Sequence, residues 1–257
     1  MASGDKSCSA DKPIENVLIV VAMEDEASPF VEHMKLEKKE GVFPAQTPFV
    51  AYQGDVHGCK VTVATNGKDS VYGTGVDNVG TVPAALVTFL GLQSLGDVDM
   101  VVNAGTCGGF KRKGAEIGDV FLTSAVANHD RRIQIPPFIP YGIGKLDAIA
   151  CPNLAKEYGF KTGVCTTGNS LDKTEEDDKN MESNDASCKD MEAAAIAWSA
   201  KLFDTPYLGV KVVTDIVDGD RLTQDEFLEN LGTAAKSLQD ALPKVCEFIC
   251  GKAPADL

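Results

Sequence analysis

The sequence predicts an α/β protein in which a largely parallel sheet lies between layers of helices. The first observation is that short apolar runs, typical of buried strands, alternate along the chain with longer helical stretches. The second is the composition: the 257 residues are 44% hydrophobic and 24% charged, which is ordinary for a globular protein with one substantial core. The third is that no internal repeat or low-complexity linker divides the chain, so we expect a single domain.

The predicted elements follow one another in a regular order. Strands are assigned to apolar, β-rich runs and helices to the stretches between them. In chain order they are strand 17–22, helix 27–34, strand 59–64, helix 79–95, strand 100–104, strand 163–166, helix 173–182, strand 207–213 and helix 224–250. Residues 49–53 stand before a turn and predict an antiparallel hairpin with strand 59–64. Residues 120–128 predict a strand that is longer than usual and able to bend.

The N-terminal residues 1–15 are polar and lack the apolar core of a secretory signal. They predict a disordered tail before a domain of residues 16–257. No apolar run approaches the roughly 20 residues that a membrane span needs. We therefore expect a cytoplasmic protein without a membrane partner.

Charge and cysteine usage argue against several classes of partner. The formal net charge of −14 repels nucleic-acid backbones and anionic membranes, and it favours a small neutral or cationic ligand. The eight cysteines include no Cys-x-x-Cys pair, and the three histidines lack the spacing of metal ligands. We therefore expect reduced, buried thiols, no disulfide framework, no metal and no nucleic-acid partner.

Three acidic residues stand where predicted elements end or begin. Asp215 closes the apolar run 208–214, and α/β sheets build their sites at the carboxyl ends of such strands. Glu26 follows the first strand, and Glu192 is predicted to lie in the first turn of a helix that begins at Lys189. Carboxyl groups that converge from separate elements suit proton transfer and the binding of hydroxyl groups. Each also has an ordinary interpretation, as a helix-start charge, a turn residue or a cap.

Two glycine-rich segments follow predicted strands. In segment 73–80 the dinucleotide fingerprint would need a third glycine at the position of Asn78, so a turn into a helix is the better interpretation. Segment 103–109 lacks the lysine of a phosphate-binding loop, but its glycines allow backbone amides to approach a ligand. Thr106 is then a candidate hydroxyl contact. Cys107 is a candidate pocket wall rather than a nucleophile, because no histidine accompanies it as a base.

Short motifs occur in a characteristic order along the chain. They read Ala22-Met-Glu-Asp-Glu26-Ala, Val102-Asn-Ala-Gly-Thr-Cys-Gly-Gly-Phe110, Gly118-Asp-Val, His129-Asp, Thr167-Gly-Asn-Ser-Leu171, Asp190-Met-Glu192-Ala-Ala-Ala and Thr214-Asp215. Together they resemble the 5′-methylthioadenosine/S-adenosylhomocysteine nucleosidases of the purine nucleoside phosphorylase superfamily, and the plant type above all. The resemblance runs from near residue 16 to about residue 248.

The resemblance implies a three-layer α/β/α fold with a mixed, twisted central sheet. It also implies a homodimer in which the partner subunit completes the pocket. The implied reaction is hydrolysis of the N-glycosidic bond of 5′-methylthioadenosine, which releases adenine and 5-methylthioribose in methionine salvage. No cofactor or metal is implied.

The resemblance also implies roles for individual residues. Asp215 is the acid that protonates N7 of adenine, Glu26 holds and deprotonates the attacking water, and Glu192 accepts hydrogen bonds from the ribose hydroxyls. Thr106 lies near the water and the base. The other substrate-facing positions are Lys189, Asp190 and Met191 on the sugar side, and Leu171 and Asp172 in the loop that faces adenine.

Two departures from the family pattern bear on the substrate. Bacterial members commonly carry an aromatic residue followed by an apolar one where this chain has Leu171 and Asp172, so the contact that stacks on the base differs here. Residues 131–141 are rich in proline and belong to a region that shapes the 5′-alkylthio pocket. S-adenosylhomocysteine is therefore expected to be a weak or absent second substrate. The apolar part of this segment, 136–141, is also compatible with a lid, a subunit contact or a loop packed on its own domain.

Two other functions are compatible with the same fold. A phosphorylase would capture the sugar with phosphate and needs cationic side chains, whereas the loop after the first strand reads Glu24-Asp-Glu26. An inactive storage or binding relative is the second alternative. The joint presence of Glu26, Glu192 and Asp215 argues against it, and we expect a hydrolase.

Overall fold

A computed structural model of the protein describes residues 12–257, in which the chain forms ten strands and seven α-helices. The strands are β1 (Asn16–Val21), β2 (Glu37–Lys38), β3 (Val50–Val56), β4 (Cys59–Thr65), β5 (Met100–Gly109), β6 (Val120–Asn128), β7 (Leu146–Asp147), β8 (Lys161–Thr167), β9 (Ala186–Asp190) and β10 (Tyr207–Ile216). The helices are α1 (Glu24–His33), α2 (Thr81–Leu95), α3 (Ile139–Ile143), α4 (Pro152–Tyr158), α5 (Glu175–Ser183), α6 (Ala193–Leu202) and α7 (Thr223–Ile249).

All of these strands belong to one mixed sheet. One arm of the sheet runs through β2, β3, β4 and β1 to β5. Beyond β5 the sheet closes on itself, because β5 pairs with both β9 and β10, and β10 connects back to β9 through β6 and β8. Pairing is parallel between β5 and β10 and antiparallel between β5 and β9. The last residues of β5, β9 and β10 therefore meet at one place.

Helices cover both faces of the sheet. In β1, Val17, Ile19 and Val21 pack with α1, α4 and α7 on one face, whereas Leu18 and Val20 pack with α2 and α6 on the other. This alternation is expected of a strand buried on both faces, because successive side chains point to opposite sides. The three-layer α/β/α arrangement and the mixed sheet are thus confirmed.

Most predicted elements are present, and several are longer than predicted. β3 and β4 form the predicted antiparallel hairpin. β6 spans the predicted residues, with a shift of register between Thr123 and Ala125. The helix predicted to begin at Lys189 starts later, because Lys189 and Asp190 end β9 and α6 begins at Ala193. β9 was not predicted, because its sequence, Ala-Ser-Cys-Lys-Asp, is polar although all of its residues are buried.

The domain begins earlier than the predicted boundary at residue 16. Residues 1–11 of the predicted tail lie outside the described residues. Ile14, however, is fully buried, and its backbone forms hydrogen bonds with residues that follow α7. Asp99 accepts hydrogen bonds from the backbone amides of Glu15 and Asn16 at 2.9 Å each. The packed domain therefore includes residues 12–15, which the prediction assigned to the tail.

Two cysteines form a disulfide, against the expectation of reduced thiols. Cys59, the first residue of β4, is bonded to Cys250 just after α7, and their Cα atoms lie 5.6 Å apart. The remaining described cysteines agree with the expectation, because all are free and buried: Cys107, Cys151, Cys165, Cys188 and Cys246.

α7 is the longest helix, and one stripe along it is buried. Ala234, Leu238, Leu242 and Val245 belong to the core on the α1 side of the sheet, whereas Leu228 is 72% exposed. This stripe repeats at three or four residues, as expected of an amphipathic helix. No helix among residues 12–257 is both long and apolar enough to span a bilayer.

The buried stripe of α7 predicts a large loss of stability on truncation. Leu238→Ala should lower the free energy of unfolding by about 2–5 kcal/mol, because it removes buried methyl groups and leaves a cavity. Leu228→Ala on the same helix should change it by less than about 0.5 kcal/mol, because that side chain is exposed. Urea denaturation followed by circular dichroism measures both variants. Equal effects of the two substitutions would contradict the assigned packing of α7.

Candidate active site

A cavity of about 480 Å³ opens at the place where β5, β9 and β10 end. Volumes of this order are typical of sites for small organic ligands. Its walls come from the turn between β1 and α1, the last residues of β5, the segment from Lys189 to Glu192, the second half of β10, and the start of α7. Leu171 contributes to the wall from the loop after β8. The cavity therefore brings together acidic residues that are far apart in the sequence.

Glu26 is the acidic residue of the first helical turn that reaches this cavity. It lies in α1 and is buried, whereas Asp25 is exposed. Glu24 instead accepts hydrogen bonds from Tyr52 and Thr65. The backbone amide and the hydroxyl of Thr106 both donate to Oε1 of Glu26, at 2.8 and 2.6 Å. Burial raises the pKa of Glu26, and these hydrogen bonds oppose the rise.

Glu192 lies between β9 and α6 and contacts the start of a different helix. Its Oε1 accepts a hydrogen bond of 2.8 Å from the backbone amide of Gly80, the residue before α2. Gly80 has φ of +99°, which a residue with a side chain rarely adopts. Burial and the nearby Asp190 raise the pKa of Glu192 to about 7. The protonated form of Glu192 is therefore favoured to a higher pH than is usual for a glutamate.

Asp190 forms a buried ion pair with Lys211 of β10, with 2.8 Å between Nζ and Oδ2. It also accepts hydrogen bonds from the hydroxyl of Thr167 at 2.6 Å and the backbone amide of Ala193 at 2.8 Å. Burial alone would raise the pKa of Asp190, but Lys211 and these hydrogen bonds outweigh burial and lower it. Asp190 is thus ionised, and both of its carboxylate oxygens are bonded to protein groups rather than left free for a ligand.

Asp215 lies near the end of β10, opposite Gly108 of β5, and is 3% exposed. The hydroxyl of Thr214 lies 2.8 Å from Oδ1 of Asp215. A Cβ atom at Gly108 would lie only 2.7 Å from Oδ2 of Asp215, so this approach requires a glycine. Burial raises the pKa of Asp215, while Thr214 and Lys189 oppose the rise. The structure therefore favours the protonated form of Asp215 to a higher pH than is usual for an aspartate.

The loop before α5 is attached to β9 through Lys189. The ammonium group of Lys189 donates to the backbone carbonyls of Ser170 and Leu171, at 2.8 and 2.7 Å. Leu171 and Met191 line the cavity, as predicted, but Asp172 is exposed and does not. A direct contact of the Asp172 side chain with a ligand in this cavity is therefore not supported within one chain.

Cys107 lines the cavity, as predicted, and has other thiols as neighbours. Burial raises its pKa, and Cys188 and Cys165 lie close to it in the protein interior. A buried thiol with a raised pKa is a poor nucleophile, because the thiolate is the reactive form. Among residues 12–257, no three or more His, Cys, Asp and Glu side chains are grouped so that they could hold a metal ion.

Several cavity residues were not singled out by the sequence prediction. They are the apolar Val76, Val79 and Phe227, with Asp77, Thr223 and Lys211. Lys211 could have been found from the sequence, because it is a lysine within the apolar run of β10. A lysine buried at such a position needs a charged or polar partner. Residues 131–141, predicted to shape the pocket, do not line this cavity within one chain. They border a separate small depression near Asn128 and Asn180.

The model of the phosphorylase superfamily matches residues 16–248 of this chain. The chain belongs to the phosphorylase superfamily. It is 46% identical over 247 residues to a 5′-methylthioadenosine nucleosidase of Arabidopsis thaliana, covering 96% of this chain and 91% of that protein. It is 43% identical to a 5′-methylthioadenosine/S-adenosylhomocysteine nucleosidase of the same plant, covering 96% of both chains.

Solved structures agree with this assignment to the superfamily. The apo form of Arabidopsis thaliana 5′-methylthioadenosine nucleosidase superposes with a TM-score of 0.92 at 45% identity, and the match covers 96% of this chain and 100% of that one. A nucleosidase from Helicobacter pylori superposes with a TM-score of 0.75 at 23% identity, covering 92% of this chain and 100% of that one, which shows the shared fold alone. The resemblance to the plant nucleosidases of this superfamily is thus confirmed.

The raised pKa of Glu192 predicts a measurable dependence of stability on pH. Because its pKa is about 7 in the folded protein and near 4.5 otherwise, unfolding releases a proton between these values. The folded state therefore loses up to about 3 kcal/mol of stability as the pH rises from 4.5 to 7. Glu192→Gln should remove this part of the loss and raise the melting temperature more at pH 8 than at pH 5.

The comparison needs a substitution of a glutamate that is not buried. Glu182→Gln, at an exposed position of α5, serves as the control and should melt like the unmodified protein at both pH values. Thermal melts followed by circular dichroism give the change in melting temperature of each variant, relative to the unmodified protein, at pH 5 and at pH 8. If Glu192→Gln loses as much stability between pH 5 and pH 8 as the unmodified protein, the protonation assigned to Glu192 is wrong.

Proposed function

We propose that this chain hydrolyses the N-glycosidic bond of 5′-methylthioadenosine and releases adenine and 5-methylthioribose. The observation that carries the proposal is the arrangement of Glu26, Glu192 and Asp215, which are buried on three separate elements around one cavity. Burial raises the pKa of each of them. Such a set can contain both an acid and a base at neutral pH. The named functions of the Arabidopsis relatives support the same reaction.

Asp215 acts as the acid. When the bond between C1′ and N9 breaks, its electron pair goes to the base, and adenine leaves more readily if N7 is protonated. Asp215 donates its proton to N7 and becomes a carboxylate. Burial raises the pKa of Asp215 and so favours the protonated form that this step requires. No cofactor takes part in this step.

Glu26 and Glu192 act on the sugar. Glu26 orients a water molecule and accepts one of its protons while the water oxygen bonds to C1′. The hydrogen bonds from Thr106 fix the position of Oε1 and therefore the direction of attack. Glu192 accepts hydrogen bonds from the ribose hydroxyls in its ionised form. Two carboxylates beside the ring also stabilise the positive charge that develops on the sugar.

Water is a better nucleophile for this cavity than phosphate. A phosphate needs unoccupied cationic donors, typically arginine. The cations that line the cavity in the described part of the chain are Lys189 and Lys211. Lys211 is paired with Asp190, and Lys189 donates to two backbone carbonyls. The first turn of α1 presents Glu26, whose negative charge repels phosphate.

We further propose that 5′-methylthioadenosine is preferred to S-adenosylhomocysteine. Val76, Val79 and Phe227 provide an apolar wall that suits the small methylthio group. The tail of S-adenosylhomocysteine carries an ammonium and a carboxylate, which lose their hydration against such a wall. We place the reaction in methionine salvage and in the cytoplasm.

We also propose that the enzyme works as a homodimer. α2 and α6 pack side by side, and large apolar side chains are exposed on them and just after α6: Val82, Leu86, Phe89, Trp198, Leu202 and Phe203. The rings of Phe89 and Phe203 lie 5.2 Å apart and join the two helices. Exposed apolar patches of this kind usually mark interfaces. A second copy of this chain covers these side chains and can bring residues 131–141 to the neighbouring cavity.

The proposed reaction predicts adenine release that is independent of phosphate. The protein should release adenine from 5′-methylthioadenosine at the same rate with and without phosphate, and more slowly from S-adenosylhomocysteine. Asp215→Asn should lower the rate by about 100-fold or more, because general acids contribute on this scale. Asp240→Asn, at an exposed position of α7, is the matched control and should retain full activity.

A spectrophotometric assay of adenine measures cleavage, and a calorimetric titration with 5′-methylthioadenosine measures binding. We expect Asp215→Asn to bind the nucleoside while it fails to cleave it. Strict phosphate dependence would favour the phosphorylase, and binding without cleavage by the unmodified protein would favour the inactive relative. Equal rates with both nucleosides would overturn the substrate preference.

The proposed dimer predicts the effect of a charge among the exposed apolar side chains of α2. Leu86→Glu should shift the protein from dimer to monomer in sedimentation velocity experiments, because a carboxylate in an apolar interface loses its hydration. Lys236→Glu, at an exposed position of α7, should leave the dimer intact. A monomer for the unmodified protein at micromolar concentration would refute the proposal.

A further inference from the structure

We propose that Lys189 is the electrostatic partner of Asp215: its ammonium group stabilises the carboxylate that remains after Asp215 has protonated the base. The inference rests on the proposed function and adds a positioning residue to it. The resemblance to the family implied only that Lys189 lines the sugar side of the pocket. The sheet register, the hydrogen bonds and the burial of Lys189 indicate a different role.

The register of three neighbouring strands places Lys189 and Asp215 on either side of one glycine. Lys189 of β9 is paired with Gly108 of β5, and Asp215 of β10 is paired with the same Gly108. Residues paired across neighbouring strands project from the same face of a sheet. The two strands that flank β5 are about 10 Å apart, which a lysine side chain can largely span.

Gly108 leaves the space between the two side chains open. A Cβ atom there would lie 2.7 Å from Oδ2 of Asp215 and 2.6 Å from the side chain of Val217. A larger residue at this position would therefore force the side chains of Asp215 and Val217 to shift. Both side chains line the cavity in which the base is proposed to bind.

Lys189 is a buried cation whose hydrogen bonds go to neutral groups. Its residue is 6% exposed, and its ammonium donates to the carbonyls of Ser170 and Leu171. Within residues 12–257, no carboxylate forms a salt bridge with it. Lys211, the other lysine of the cavity, differs in this respect because Asp190 neutralises it. The positive charge of Lys189 is thus available to an anion that forms beside it.

The reaction creates such an anion. Before cleavage, Asp215 is neutral and Lys189 is positive. The proton of Asp215 then moves to N7, the electron pair of the C1′–N9 bond moves to adenine, and Asp215 becomes negative. Lys189 keeps its own proton throughout. A negative charge in a buried site is costly without a partner, and Lys189 supplies that partner only after the proton has moved.

Two roles of Lys189 can be separated by experiment, because it also holds the loop that contains Leu171. Lys189→Gln removes the charge but keeps an N–H donor for the carbonyls, whereas Lys189→Arg keeps the charge. Lys179→Gln, at an exposed position of α5, removes the same charge far from the cavity. The pH profiles of kcat and kcat/KM for adenine release are measured for all three variants and for the unmodified protein.

We expect Lys189→Gln to lower kcat by about 10- to 100-fold with a much smaller change in KM. The activity of the unmodified protein should fall at alkaline pH as Asp215 loses its proton. Because a neighbouring cation lowers the pKa of a carboxyl group, its removal should move this alkaline limb to higher pH by about one unit or more. Lys189→Arg should retain the limb of the unmodified protein, and Lys179→Gln should change neither quantity.

An unchanged alkaline limb in Lys189→Gln, with an increase confined to KM, would show that Lys189 only holds the loop and would overturn the inference. If Lys189→Gln fails to fold, Lys189→Arg still provides a test, because an alkaline limb moved upward despite the retained charge would refute the inference. Failure of the proposed function is recognised separately, since the unmodified protein would then release no adenine.

Discussion

Lys211 and Asp190 form an ion pair that is shielded from solvent on both sides. Lys211 lies four residues before Asp215 on β10, and Asp190 lies two residues before Glu192. The pair therefore joins β10, which carries Asp215, to the end of β9, which is followed by Glu192. Asp190 also accepts a hydrogen bond from the first backbone amide of α6, so the same contact sets where that helix begins. Removing one partner alone would leave a buried charge without compensation.

Glu26, Glu192 and Asp215 line one cavity, and each of them is buried. Their negative charges would repel one another if all were ionised, and burial already disfavours each ionised form. Lys211 lowers the pKa values of Glu26 and Glu192, and Lys189 lowers that of Asp215, so the lysines oppose the effect of burial. Each of the three carboxyl groups thus has a lysine that partly offsets the effect of burial on its pKa. Burying these three carboxyl groups makes the folded state less stable at neutral pH than it would be with neutral side chains at the same positions.

The sequence predicted the fold class, and it singled out three acidic residues that the fold brings to one cavity, because both depend on local patterns. Apolar strands are recognisable from their composition, and an acidic residue that ends such a strand is conspicuous. β9 was not predictable in this way, because its polar residues are buried through bonds to Thr167, Lys211 and other distant groups. The contacts of Asp190 and Lys189 were not predictable for the same reason. Their partners come from other elements, and no local pattern specifies those contacts.

The disulfide and the predicted tail illustrate a related limit. Cys59 and Cys250 are separated by 191 residues, and only the folded sheet brings them together. Ile14 is a single apolar residue after a proline, and its burial depends on the segment that follows α7. Asp172, by contrast, was assigned together with Leu171 from the resemblance to the family, and of these two adjacent loop residues only Leu171 lines the cavity.

Gly108 links the geometry of the sheet to the comparison of sequences among relatives. The three acidic residues can all persist in a protein that has lost its activity, provided that their neighbours no longer hold them in place. A single nucleotide change can replace a glycine by a larger residue, and at this position the new side chain would force Asp215 and Val217 to shift. In any relative that retains the three acidic residues, the residue at this position therefore provides an independent criterion for distinguishing working enzymes from inactive descendants.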